Sequence, residues 1–298
     1  MGSKKKNVAL IGLGTMGTPM AQRLLKKGFP LLAYDPVLEK VQRLVTEGAE
    51  PAASAREAAA GADIIISMVA QSADTEKLVL GQEGIIYELR TGKFFIDMSP
   101  SSLELPRRIY GEINTRKGEM LDAPVSGGHN KAKKGKLTIM VGGDRSTFEK
   151  CKKLFYAIGQ TVHYTGAAGS GQAFKLLNNI LYAVNMCAAA EVLTLGEKLG
   201  MKLSQMVEVF NSSSAASYCL DEKIPTFVLT DDFTPGLRTA LLLKDIELAL
   251  ELGESAESMQ VFGRLAHQFF RIACESGLEG EDNSAVIKIF RTLAKIKL

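Results

Sequence analysis

Histidine and cysteine are scarce in this chain, and that scarcity removes several kinds of chemistry. Three histidines, His129, His163 and His267, stand among 298 residues, and none falls in an HExxH or HxH arrangement. No metal site is expected from them. The four cysteines, Cys151, Cys187, Cys219 and Cys274, lie far apart with no CxxC, and read as buried or free thiols of a reducing compartment. An excess of one charge is also missing. Thirty-six basic against 33 acidic residues leave +3, which gives no footing for nucleic acid or a membrane surface. Val8 to Leu13 is too short for a signal core, and Lys6 stands where a myristoylation signal needs Ser or Thr. The start from Met1 to Lys6 reads as a solvated leader, and the cytoplasm is the expected location. The apolar run from Leu176 to Leu195 carries Asn178, Asn179, Asn185 and Glu191, which suits a helix buried in protein better than one in lipid.

What is present is the balance of a soluble globular protein, 46% apolar and 23% charged. At about 150 residues per domain, the chain is long enough for two. Val8 to Ile11 is a continuous apolar run of the kind buried on both faces of a parallel sheet. Helical spacing follows from Met16 to Lys27, closed by Gly28. Leu31 to Tyr34 reads as a second strand, and a helix from Leu38 to Thr46 ends at Gly48. Ile64 to Met68, Phe94 to Asp97, Met120 to Asp122 and Leu137 to Val141 read as further strands. This alternation predicts an α/β domain with a doubly wound parallel sheet. After Gly171 the texture changes. Ala173 to Leu199 holds no proline and no glycine before Gly196, which predicts one long helix over about 172–199. Leu203 to Ser212, Thr239 to Leu252, Met259 to Glu275 and Ser284 to Ile296 also have helical spacing. A nucleotide-binding domain over 1–165 and an all-helical domain over 166–298 are expected.

Between the first strand and first helix stands Gly12-Leu13-Gly14-Thr15-Met16-Gly17, a GxGxxG. The first glycine makes the tight turn, the second lets backbone approach a pyrophosphate, and the third permits close helix–strand packing. The helix N-terminus adds amide donors and partial positive charge. Asp35 closes the second strand 18 residues after Gly17, near the spacing expected for a carboxylate on the adenosine ribose. It would repel a 2′-phosphate, so the expected cofactor is NAD rather than NADP, on a Rossmann domain.

Asp122-Ala123-Pro124-Val125-Ser126-Gly127-Gly128 resembles the β-hydroxyacid dehydrogenase family. The resemblance continues through Ala132, Gly135, Leu137 and Met140-Val141-Gly142-Gly143, through Gly169-Ser170-Gly171 with Lys175, Asn178 and Asn179, and to Lys244-Asp245. Read as residues, Ser126 with two glycines offers a hydroxyl and unshielded amides to a carboxylate. Lys175 and Asn179 are four apart on the long helix and face the same way. By itself such a pair is also what a solvated helix face carries.

The resemblance implies an NAD-dependent dehydrogenase that interconverts a β-hydroxyacid and its semialdehyde or keto acid. Lys175 would move the alcohol proton and Asn179 would orient the reacting group. Ser126, Gly127 and Gly128 would hold the substrate carboxylate. Besides the glycine loop and Asp35, cofactor contacts are implied at Val69, Ala70, Asp74, Ser99 and Lys244. Asp245 either orients Lys175 or the C-terminal domain, or pairs on a helix surface. A homodimer or homotetramer associated through the helical half is implied too.

Three departures bear on the substrate and cofactor. Pro100 replaces a family threonine or serine, leaving Ser99 or Ser101 to supply the hydroxyl. Leu237 stands where relatives carry phenylalanine, which widens the pocket. The segment His129-Asn130-Lys131-Ala132-Lys133-Lys134-Gly135-Lys136 is unusually basic. It is either a solvated loop or a site where His129 or Lys131 meets a second anionic group on the substrate. A non-catalytic nucleotide-binding protein on the same fold is the alternative in another class. It would be signalled by loss of Lys175, which is present.

Overall fold

The computed structural model describes residues 6–296, so the leader read from Met1 onward lies, apart from Lys6, outside the described residues. The chain forms two compact units that divide after Lys175. This division falls inside the long helix. The reason is that the first turn of the long helix hydrogen-bonds to the sheet unit, through Gly169 and Gln172 to Asp122 and through Gln172 to Ser99 and Ser101.

The first unit runs β1 (Val8–Ile11), α1 (Gly17–Lys26), β2 (Leu31–Tyr34), α2 (Leu38–Val45), β3 (Glu50–Pro51), α3 (Ala55–Gly61), β4 (Ile64–Ser67) and α4 (Ser72–Leu80). It continues through β5 (Phe94–Asp97), α5 (Glu104–Thr115), β6 (Glu119–Asp122), β7 (Val125–Ser126), α6 (Gly128–Lys134), β8 (Leu137–Gly143), α7 (Arg145–Ile158) and β9 (Gly159–Gly166). The strands form one sheet in the order β3-β2-β1-β4-β5-β6-β8-β7, with β9 also on β8. Its faces are both buried. Val8, Leu10, Ile64, Ile66 and Ile96 pack on one side, and Ala9, Ile11, Ile65 and Phe95 on the other. That is why these strands read as unbroken apolar runs.

The register decides where chemistry can sit. Ile11 pairs with Tyr34 and Ser67, Ser67 with Asp97, and Asp97 with Asp122, so five parallel strands end in one row. Every loop the sequence marks for binding leaves from this edge, as open α/β sheets require. The sheet is not wholly parallel, however: β8 is antiparallel to β6 and β7. Only residues 127–136 separate Ser126 from Leu137, and a parallel crossover needs a dozen or more residues.

The second unit carries most of α8 (Ser170–Lys198) with α9 (Leu203–Asn211), α10 (Thr239–Ser255), α11 (Val261–Ala273) and α12 (Val286–Leu293). By length and composition α8 would pass for a membrane span, but its inward residues Ala183, Met186, Ala190 and Leu193 pack in this unit's core. A further helical stretch, Cys219–Val228, is missing from the sequence-based reading. It contains Pro225 and has wide turns, with Leu229 N bonding Ile224 O. This stretch supplies Lys223, whose Nζ lies 2.6 Å from Asp282 Oδ1 in the interior. Burial pushes the Lys223 amine down and Asp282 pulls it back. Asp282 also accepts Gly236 N, Leu237 N, Ser284 N and Ser284 Oγ, fixing the turn that presents Leu237.

Removing one member of a buried pair strands the other's charge. Asp282→Ala is expected to cost about 3–5 kcal/mol in urea unfolding, leaving an ammonium and three amides unmatched. Lys223→Met should cost clearly less, because the protein donors on Asp282 stay. Equal costs would contradict this ranking.

Candidate active site

β1 delivers the chain to Gly12, whose N–H donates to Tyr34 O at 2.9 Å. Gly12 has φ +96°, and a Cβ there would lie 2.4 Å from Met68 O. A Cβ on Gly17 would lie 1.9 Å from Gly12 O, so the loop closes on its own third glycine. Around Gly14 nothing stands within 4 Å of the Cβ position. The loop is thus packed at both ends and bare in the middle, where Gly14 and Thr15 are exposed. With the leading amides of α1, this is a cradle into which a pyrophosphate fits. Met16 packs back against the core below it.

Asp35 leaves β2 buried, at 8% exposure. Its Oδ2 accepts Leu13 N at 2.7 Å and its Oδ1 accepts Val37 N at 2.9 Å. The acid is therefore oriented by the glycine loop itself. Lys40, which the sequence reading passes over, places Nζ 3.1 Å from Oδ1. Its position five residues after Asp35, at the start of a helix, is the signal that would have found it.

The loop after β4 is held in the same way. Val69 N donates to Ser99 Oγ at 3.0 Å, and Ser99 N donates to Asp97 Oδ1. Ser99 is fully buried, so its hydroxyl fixes the loop carrying Val69 and Ala70. Asp74 accepts Gln71 N and completes the cap of α4.

At the end of β7, Gly127 and Gly128 have φ +124° and +67°. A Cβ on Gly127 would lie 2.9 Å from Lys131 Cδ, so the Lys131 stem lies across the Ser126-Gly127-Gly128 turn. His129 Nδ1 is 2.8 Å from Thr15 O, which makes that nitrogen the donor. The basic segment is thereby tied to the glycine loop at His129.

On α8, Lys175 is half-buried and Asn179 is buried one turn later. Asn179 Nδ2 donates to Asp245 Oδ2 at 2.7 Å, while Asn178 Nδ2 donates to Asn179 Oδ1. Lys244 Nζ lies 3.9 Å from Asp245 Oδ1. Asp245 therefore positions Asn179. The side chains that sequence reasoning missed lie at the strand ends: Asp97, which accepts Ser67 Oγ at 2.8 Å, and Gln172, which spans Ser99 O and Ser101 N. A glutamine in the first turn of an apolar helix is the only sequence signal they leave. Among the described residues, no group of three or more His, Cys, Asp or Glu side chains could hold a metal.

Residues 7–166 match the family model described as the NAD binding domain of 6-phosphogluconate dehydrogenase. Residues 169–290 match that for NAD-binding of NADP-dependent 3-hydroxyisobutyrate dehydrogenase. The chain is 35% identical over 296 residues to 2-(hydroxymethyl)glutarate dehydrogenase of Eubacterium barkeri, covering 99% of this chain and 98% of that one. It is 37% identical over 291 residues to the NAD-dependent L-serine dehydrogenase of Pseudomonas aeruginosa, covering 96% and 98%. The solved 3-hydroxyisobutyrate dehydrogenase of Mycobacterium tuberculosis with L-serine superposes with a TM-score of 0.89 at 30% identity, covering 97% and 100%. These likenesses support a catalytic dehydrogenase, not a non-catalytic binding protein.

Burial pushes the Asp97 carboxyl up to about 6, against the pull of Ser67 and Ser99. An acid whose folded pKa exceeds its unfolded one loses stability as pH rises between the two values, and the loss is constant above both. Urea unfolding should show Asp97→Asn gaining on wild type by about 3 kcal/mol between about pH 4 and about pH 7. A difference that does not move with pH would refute the raised value.

Proposed function

Since the chain belongs to the β-hydroxyacid dehydrogenase family and is an oxidoreductase of hydroxyacids using a nicotinamide dinucleotide, we propose that Lys175 is its general acid and base. When bound, the nicotinamide supplies the two-electron acceptor or donor. In oxidation Lys175 Nζ takes the hydroxyl proton as the carbinol C–H leaves with its electron pair, and in reduction it returns the proton to the carbonyl oxygen. Asn179, its amide fixed by Asp245, orients the reacting oxygen. Ser126 Oγ and the amides at Gly127 and Gly128 hold the substrate carboxylate.

The observation that carries this reading is the helix face itself. A half-buried lysine stands four residues before an asparagine that is 3% exposed and already locked by a carboxylate. A solvated face does not bury its asparagine.

Gly12, Leu13, Gly14, Thr15, Met16 and Gly17 would cradle the pyrophosphate, and Asp35 the adenosine ribose. Asp35 favours NAD, since a 2′-phosphate would meet a buried carboxylate already committed to Leu13 N. Val69, Ala70, Asp74, Ser99 and Lys244 complete the cofactor set, with Ser99 acting through the Val69 loop. The substrate class is a small hydroxyacid, and the Lys131 stem across Gly127 supports a second anionic group beside the first. The stripe Leu177, Leu181, Val192 and Leu195 on α8, continued by Leu199 just past its end, is exposed and supports association of copies through the helical unit. Four unpaired cysteines suit the cytoplasm.

Initial rates with NAD and with NADP across 3-hydroxyisobutyrate, L-serine, glycerate, 4-hydroxybutyrate and 2-(hydroxymethyl)glutarate test this reading. Wild type should reduce NAD faster than NADP, and Lys175→Ala should lose a factor of about 10²–10⁴ in kcat with NADH binding unchanged. Retention of rate in Lys175→Ala would remove the lysine from the chemistry. Lys131→Met should lower kcat/KM on the dianionic 2-(hydroxymethyl)glutarate and leave L-serine alone; equal effects on both would remove the second-anion contact.

A further inference from the structure

Asp122 has no role in the chemistry above, yet it is among the most buried charges in the first unit, at 1% exposure. Its Oδ1 accepts Gly169 N at 2.7 Å and its Oδ2 accepts Gln172 N at 2.9 Å. Gly171 N also bonds to it. These amides open α8, whose first helical bond runs from Ala173 N to Gly169 O. They are the donors that a helix start leaves without partners, so one carboxylate satisfies much of the first turn.

The surroundings are shaped for this contact. A Cβ on Gly142 would lie 2.6 Å from Asp122 Oδ1, and one on Gly171 would lie 2.8 Å from Asp122 Oδ2 and 2.5 Å from Met140 O. Neither position has room for a side chain. Gln172 braces the same turn from the other strand end, donating Nε2 to Ser99 O at 2.6 Å and accepting Ser101 N. Gly142 and Gly171 thus leave room for one anchor between β6, β8 and the start of α8.

We infer that Asp122 is a positioning residue for Lys175: it clamps the first turn of α8 to the end of β6 and so sets where the lysine stands. Lys175 follows Gln172 by three residues, about 4.5 Å along the helix axis, with no hinge between them. Helix is stiff over one turn, so a shift of the anchored amides reaches the Nζ with little loss. Misplacement of a reacting group by about 1 Å can cost about 10²-fold in rate. The part of this inference that concerns rate rests on Lys175 being the acid and base. The anchor itself does not.

Asp122→Asn keeps the shape and removes the charge that receives three amides. Hydrogen exchange followed by mass spectrometry should show peptides covering 168–178 exchanging at least about tenfold faster, with the glycine-loop peptides over 8–17 unchanged. With L-serine and 3-hydroxyisobutyrate as substrates, kcat should fall about 10- to 100-fold while KM and NADH affinity stay within about twofold. On a Lys175→Ala background the same substitution should cost almost nothing more, because both changes act through one group. Gln172→Met, which leaves Asp122 and its amides in place and removes only the brace to Ser99 and Ser101, should give the same split in milder form and serves if Asp122→Asn does not fold. Unchanged exchange over 168–178, KM and NADH affinity rising together with the loss of kcat, or full additivity with Lys175→Ala would overturn the inference. If wild type turns over neither substrate nor any other of the panel, the assigned reaction fails, while the exchange measurement still decides the anchor.

Discussion

A carboxylate taken out of water must be met by donors, and several kcal/mol ride on whether it is. The first unit places two such groups, Asp97 and Asp122, side by side at the ends of neighbouring parallel strands. What meets them comes mostly from the segments that leave that edge, although Asp97 Oδ2 is left without a hydrogen-bond partner. Asp97 takes Ser67 Oγ and Ser99 N, and Asp122 takes the opening amides of α8. The loops are therefore held by the same acids that would be costly to leave unmatched. Ser99 then holds Val69, and Gln172 holds both Ser99 and Ser101, so the strand-end row and the first turn of α8 form one buried network.

The glycine loop obeys the same logic from the other side. Asp35 is buried and finds its donor in Leu13 N, within the glycine loop. Asp35 and the glycine loop are thus one hydrogen-bonded piece. Preorganisation of this kind lowers the ordering cost of binding. It also explains why Gly12 and Gly17 are crowded while Gly14 is not: two glycines serve the protein's own packing, and one serves the space beyond it.

Much of this was legible in the sequence, for identifiable reasons. β1, β4 and β5 are buried on both faces, so each reads as an unbroken apolar run. The strand β9, Gly-Gln-Thr-Val-His-Tyr-Thr-Gly, does not, because it pairs only with β8 and lies half in solvent. The wide helix Cys219–Val228 hid behind Pro225, which argues against helix on local grounds. Among site residues, Gly12 to Gly17 and Asp35 announce themselves by spacing. Asp122 stood in a quoted motif without a task, since its partners lie 47 and 50 residues downstream. The division after Lys175 is illegible for the same reason: nothing local marks a helix whose first turn belongs to one unit and whose body belongs to the other.

The antiparallel return through β7, α6 and β8 has a bearing on how such a chain diversifies. The parallel strands that bear the glycine loop and Asp35 are joined to one another by crossovers whose helices cover the sheet, and alterations there disturb a shared core. The segment over 127–136 leaves and re-enters the sheet within ten residues at its far side. Asn130, Lys133, Lys134 and Lys136 are exposed on it, while His129 bonds Thr15 O, Ala132 is buried and Gly135 lies against Arg23. Mutation can therefore rewrite the charge of this excursion while the nucleotide half stays as it is. These ten residues are thus a place where the charge next to Ser126 can change without refolding the unit.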